Sequence, residues 1–94
     1  MNIAKSDMVR SLAGRDAGSL YFVLSAEEEF LLLADGKHRR LENPKRKRKK
    51  HVTLVETGRS TVAEKIRSNE KVTNSELRKA IAAVSGVNPN REGT

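Results

Sequence analysis

Ninety-four residues make one small domain, with room for a tail but not for a two-domain enzyme built round a cofactor. The 22 Ile, Leu, Val and Phe side chains allow a core, though a thin one. The absence of cysteine excludes disulfides, thiolate zinc sites and cysteine nucleophiles. The formal net charge of +7 is unevenly spread. Residues 1–36 hold three basic and six acidic side chains, residues 37–51 hold nine basic ones and Glu42 alone, and residues 52–94 hold seven basic and five acidic. A block of this kind focuses positive potential on one place, and its natural partner is a polyanion, most often nucleic acid.

In chain order, residues 8–12 form a short apolar stretch, followed by a turn-rich loop holding Gly14, Arg15, Asp16 and Gly18. Residues 20–24 (Leu-Tyr-Phe-Val-Leu) have strand propensity, Glu27 to Glu29 mark a solvated connection, and residues 30–34 predict a second strong strand. Asp35–Gly36 between two strand-like runs predicts a two-residue hairpin, with residues 37–41 as the returning strand. In that register Ala34 faces Lys37 and Leu32 faces Arg39. Asn43 and Pro44 end the strand, residues 45–50 form a basic loop, and residues 51–55 a last strand. Because Leu31, Leu32 and Leu33 are consecutive, alternation does not say which face is core. Such a run fits a strand buried on both sides, or a closed small barrel with a covering element.

After Gly58 the pattern turns helical. Thr61–Glu64 and Thr73–Glu76 both fit a T-x-x-E capping box, and Val72 with Leu77 fits a hydrophobic staple. Leu77, Ala80, Ile81 and Val84 make one helical stripe. Gly86 and Pro89 mark the stop, and residues 88–94 read as a frayed end. The expected architecture is mainly β: a small barrel of about five antiparallel strands over residues 1–57, with a short helical extension over residues 58–94.

The stretch from Ser6 to Arg10, with Gly14, Arg15, Asp16, Ala17 and Gly18 after it, resembles a KOW motif. Ala34-Asp35-Gly36-Lys37 followed by Arg39-Arg40-Leu41-Glu42-Asn43-Pro44-Lys45-Arg46 is similar to the small bacterial KOW-domain RNA-binding proteins. Those are relatives of the large-subunit ribosomal protein family of the L-fourteen-e type. The resemblance covers residues 6–57 and departs from the pattern at Ser11, where an apolar residue is usual, and after Gly18, where a second glycine is often found. It implies an SH3-like barrel, RNA binding and a ribosomal or translational setting.

The candidate RNA-binding residues are Arg15, Lys37, Arg39, Arg40, Lys45, Arg46, Lys47, Arg48, Lys49 and Lys50. Arginine offers a planar fork for phosphate and lysine a mobile point charge. Gly14 and Gly18 read as turn formers that present Arg15, and Asp16 as a turn former. Tyr21, Phe22 and Phe30 sit in apolar runs and are expected in the core, so recognition should rest on phosphates and RNA shape rather than stacking. His38 and His51 lack the further ligands a zinc site needs. No nucleophile, acid/base pair, Walker loop or dinucleotide fingerprint is visible, so the reading is non-enzymatic and cofactor-free. The longest apolar runs are five residues against the ~20 of a membrane span, and no signal-peptide pattern opens the chain. A cytoplasmic, monomeric protein is expected. A second reading is a protein-interaction module docking on transcription or translation machinery, its basic run aiding encounter. Binding that survives nuclease treatment would favour it.

Overall fold

A computed structural model describes residues 2–86. The elements are β1 (Met8–Ser11), β2 (Leu20–Ala26), β3 (Phe30–Ala34), β4 (Lys45–Arg48), a single 3-10 turn (Lys49–His51), β5 (Val52–Glu56), α1 (Thr61–Arg67) and α2 (Asn74–Ser85). The strands form one antiparallel sheet in the order β4-β3-β2-β1-β5, so the first strand lies between the second and the last. This is the mainly β, five-stranded fold expected. The ladder between β1 and β5 shifts register between Met8 and Val9, and that between β2 and β3 between Val23 and Ser25. Such irregularities bend and twist a sheet locally.

Alternation divides the apolar residues between two faces. Val9, Tyr21, Val23, Leu31, Leu33 and Val52 gather with Ile3 in one core cluster. Met8, Leu20, Phe22 and Ala34 gather in a second, closed by Ala63, Ile66 and Leu77 of the two helices. The three consecutive leucines are thereby sorted. Leu31 and Leu33 are fully buried, while Leu32 is half-buried and pairs with Ser25 and Arg46. The helical segment shares a core with the sheet: Leu77 has no exposed surface.

The returning strand of the third hairpin differs from the sequence reading. Residues 37–41 are not a strand; β4 is the basic run itself, Lys45–Arg48. The cause is the Asp35 side chain. Its Oδ1 accepts from the Lys37 and Arg39 amides at 2.9 and 2.8 Å, and the Asp35 and Gly36 amides both donate to the Arg39 carbonyl. A carboxylate that captures local amides competes with the ladder, so the chain folds on itself there. It pairs with β3 only after Pro44, with Leu33 opposite Lys45, Leu32 opposite Arg46, Leu31 opposite Lys47 and Phe30 opposite Arg48. The expected pairings of Ala34 with Lys37 and Leu32 with Arg39 are thus replaced.

Helix α1 begins one residue earlier than read: Ser60, not Thr61, is the cap, its hydroxyl accepting from the Ala63 amide at 3.1 Å. The second capping box forms as expected between Thr73 and Glu76. Val72 and Leu77 meet in the second cluster, and Gly86 ends α2 in the left-handed conformation at φ 79°. Glu76 also holds Lys65 at 2.8 Å, which ties α1 to α2. Pro89 and the end read as frayed lie outside the described residues. Among those described, no helix is long and apolar enough to cross a membrane.

Candidate nucleic-acid interface

The basic run is an edge strand, and its alternation separates its four cations into two pairs. Lys45 and Lys47 share the face of Leu33 and Leu31, while Arg46 and Arg48 share the face of Leu32 and Phe30. The lysines point towards the loop of residues 12–18, where Asp16 receives both. Lys45 Nζ lies 3.2 Å from Oδ2 and Lys47 Nζ 3.1 Å from Oδ1. Lys47 also donates to the Ala13 carbonyl at 2.9 Å, and its side chain is only 9% exposed. The Tyr21 hydroxyl donates to Asp16 Oδ2 and the Ser11 hydroxyl to Oδ1, each at 2.9 Å.

Burial alone would raise the Asp16 pKa. Lys47, Ser11, Tyr21 and Lys45 outweigh that and hold the carboxyl far below the usual carboxylate range. Burial, reinforced by the neighbouring Asp16 charge, pushes the Tyr21 hydroxyl well above its ordinary value. Ser11, where the KOW pattern has an apolar residue, is buried because it belongs to this network. Gly14 and Gly18 have φ of +87° and +93°, the left-handed turns read for them. Asp16 thus fastens the loop carrying Arg15 to β4, and Arg15 at its tip is exposed.

The second basic element is the connection of residues 35–44. Lys37 and Arg40 are exposed and Arg39 is half-buried. Its shape is set from outside by α2. Asn74 accepts from the Leu41 amide at 2.8 Å through Oδ1 and donates to Glu42 at 2.9 Å through Nδ2. Arg78 donates to the Gly36 carbonyl at 2.6 Å. Gly36 is at φ +80°, and a Cβ there would come within 2.2 Å of the Asn74 carbonyl oxygen. Gly36→Ala is therefore expected to cost about 1–3 kcal/mol through backbone strain, with a further penalty as the loop lifts from α2. A urea melt at neutral pH measures it. A loss under about 0.5 kcal/mol, the ordinary range for a surface substitution, would show that this docking is soft.

Both elements abut β4: the first through Asp16, the second by running directly into Lys45. Of the ten candidate cations, Lys45 and Lys47 are engaged internally. Arg40 and Arg46 make ion pairs of 3.8 and 3.6 Å with Glu42 and Glu27, in which every side chain is more than half exposed. Such pairs hold weakly against solvent. Arg15, Lys37, Arg39, Arg48, Lys49 and Lys50 make no ion pair with any described residue. At the far end of β4, Arg48, Lys49 and Lys50 line a shallow cleft of about 230 Å³ with Glu28 and Glu29, so the potential there is mixed.

One aromatic departs from expectation. Tyr21 and Phe22 are buried, but Phe30 is only half-buried, and the Arg46 and Arg48 guanidinium carbons lie over its ring at 3.6 and 4.8 Å from its centre. At the start of β3, opposite Arg48, it lies outside the cluster that the helices close. The described residues include no group of three His, Asp or Glu able to hold a metal ion. No protein-family model matches the chain, and no curated protein matches it.

Proposed function

We propose that this protein is a non-enzymatic binder of structured RNA. The observation that carries the proposal is the unspent cation set around β4. Nine basic side chains fall between residues 37 and 50, and only Lys45 and Lys47 are neutralised by a shielded carboxylate. The remainder are held on an edge strand, its 3-10 turn and one fastened loop, with Arg15 on a second loop beside them, an array suited to phosphates rather than to a small ligand. Arg39 and Arg40 on one loop, Arg15 on the other, and Arg46, Arg48, Lys49 and Lys50 along the strand and its 3-10 turn would follow an RNA backbone. Lys45 and Lys47 serve the same surface indirectly by holding Asp16. The KOW resemblance of residues 6–57 makes ribosomal RNA, or RNA on the ribosome, the target class.

Salt dependence tests this directly. Replacing Arg39, Arg40, Lys49 and Lys50 together with glutamine should remove about four phosphate contacts. The slope of log K against log salt on duplex RNA should then flatten by about 3–4, at roughly 0.9 per phosphate. All four side chains lie outside the core clusters, so the melting temperature should change little. An unaltered slope in a folded variant would overturn the proposal.

A further inference from the structure

We infer that Arg46, braced by Phe30 and Glu27, is a stacking platform for an unpaired nucleobase. The inference rests on the RNA-binding reading and adds to it a preference for RNA with an unpaired base over uniform duplex. The first observation is a distance. The Arg46 guanidinium carbon is 3.6 Å from the centre of the Phe30 ring. An edge-on guanidinium would interpose an N–H and hold the carbon farther off, so the two planes lie face to face. The second is the pairing of its edge: Nε is 3.6 Å from Glu27 Oε1. One face and one edge of the guanidinium are therefore occupied.

With the ring against it the Arg46 side chain is still 58% exposed, which leaves surface accessible to a ligand. It lies on the helix-facing side of the sheet, beyond the part the helices cover. An accessible guanidinium plane is a surface on which an unpaired base stacks. The cation also strengthens the contact through the base's π-system. Arg48 lies over the same ring at 4.8 Å and Lys50 follows it, exposed, in the 3-10 turn, so cations for the flanking phosphates are near in the chain.

The test uses two RNA hairpins, one fully paired and one carrying a single bulged 2-aminopurine. The native protein is expected to quench the bulged base and to bind that hairpin about tenfold more tightly than the paired one, the lower range for one stacked base. Arg46→Lys keeps the charge but not the plane. It should abolish the quenching and bring the two affinities together, with the melting temperature nearly unchanged. Phe30→Leu, which keeps both arginines but removes the brace, should lose the preference in the same way. Quenching and preference that persist in Arg46→Lys would overturn the platform. Equal binding of both hairpins by the native protein would overturn it while leaving RNA binding intact. Binding to neither would remove the RNA reading and the platform together.

Discussion

Asp16→Asn is expected to destabilise the protein by about 3–5 kcal/mol, the usual cost of removing one partner from a buried charge cluster. Against a total of about 5–15 kcal/mol that is a large fraction of its stability. Asparagine keeps the shape of the side chain and one acceptor oxygen. It no longer neutralises Lys45 and Lys47, and it turns an amide N–H₂ towards donors. Lys47, 9% exposed, has no other carboxylate within reach among the described residues. Urea denaturation at neutral pH measures the loss. Lys47→Met in the same background should recover part of it, because the charge left stranded is then gone; the double-mutant cycle isolates that coupling. The pH dependence has a definite sign. The Asp16 carboxyl titrates far lower in the folded protein than in the unfolded chain, so its contribution is fully present above the unfolded value near 4 and is lost progressively as pH falls below it. The native protein should therefore lose stability on acidification below about pH 4 more steeply than Asp16→Asn. A substitution costing less than about 1 kcal/mol would mean that both lysines simply swing into solvent.

Asp16 also marks where sequence reasoning runs out. The two glycines and the loop they shape are legible, because positive φ is a local demand that glycine meets. That the aspartate between them receives two lysines from β4 is not local. The partners are 29 and 31 residues away, and nothing in their spacing announces a pair. Ser11 reads as a break in an apolar strand for the same reason: its partner is invisible until the loop folds over it.

Four of the five strands and the second capping box are legible because their signals lie within a few residues. The fourth strand was misplaced because Lys-Arg-Lys-Arg contains no apolar residue to alternate. Its alternation is between lysines that reach a buried carboxylate and arginines that lie over Phe30, and both partners come from elsewhere in the chain. The Asp-Gly pair misled in the other direction. It often closes a hairpin, but here Asp35 spends its carboxylate on the amides of Lys37 and Arg39 and so delays the return strand to residue 45. The positions of the cations are read directly from sequence; their division into free and engaged ones requires the register of β4.

A chain ending at Thr57 is expected not to fold. The sequence divides there, and a helical tail added to a complete barrel would leave the strands standing. The packing argues otherwise. Met8, Phe22 and Ala34 are at most 1% exposed and Leu20 7%, in a cluster whose other buried members, Ala63, Ile66 and Leu77, all come from the helices. Without residues 58–94, Met8, Leu20 and Phe22 would face water. At about 1.5–3 kcal/mol for each large side chain uncovered, the loss is roughly 5–9 kcal/mol, against a total of about 5–15 for an ordinary domain. The truncation also frees the loop of residues 35–44, which takes hydrogen bonds from Asn74 and Arg78, so even a residual sheet would present Lys37, Arg39 and Arg40 differently. Circular dichroism and the amide dispersion of a proton–nitrogen spectrum would decide it. A dispersed spectrum with a cooperative urea transition would show that the strands stand alone. Leu77→Ala in the full chain gives the graded form of the same test. It removes the one α2 side chain with no exposed surface and should cost about 2–5 kcal/mol. RNA affinity at a temperature where the variant is still folded should be nearly unchanged, because alanine keeps the Cβ beside Gly36, and Asn74 and Arg78 still hold the loop.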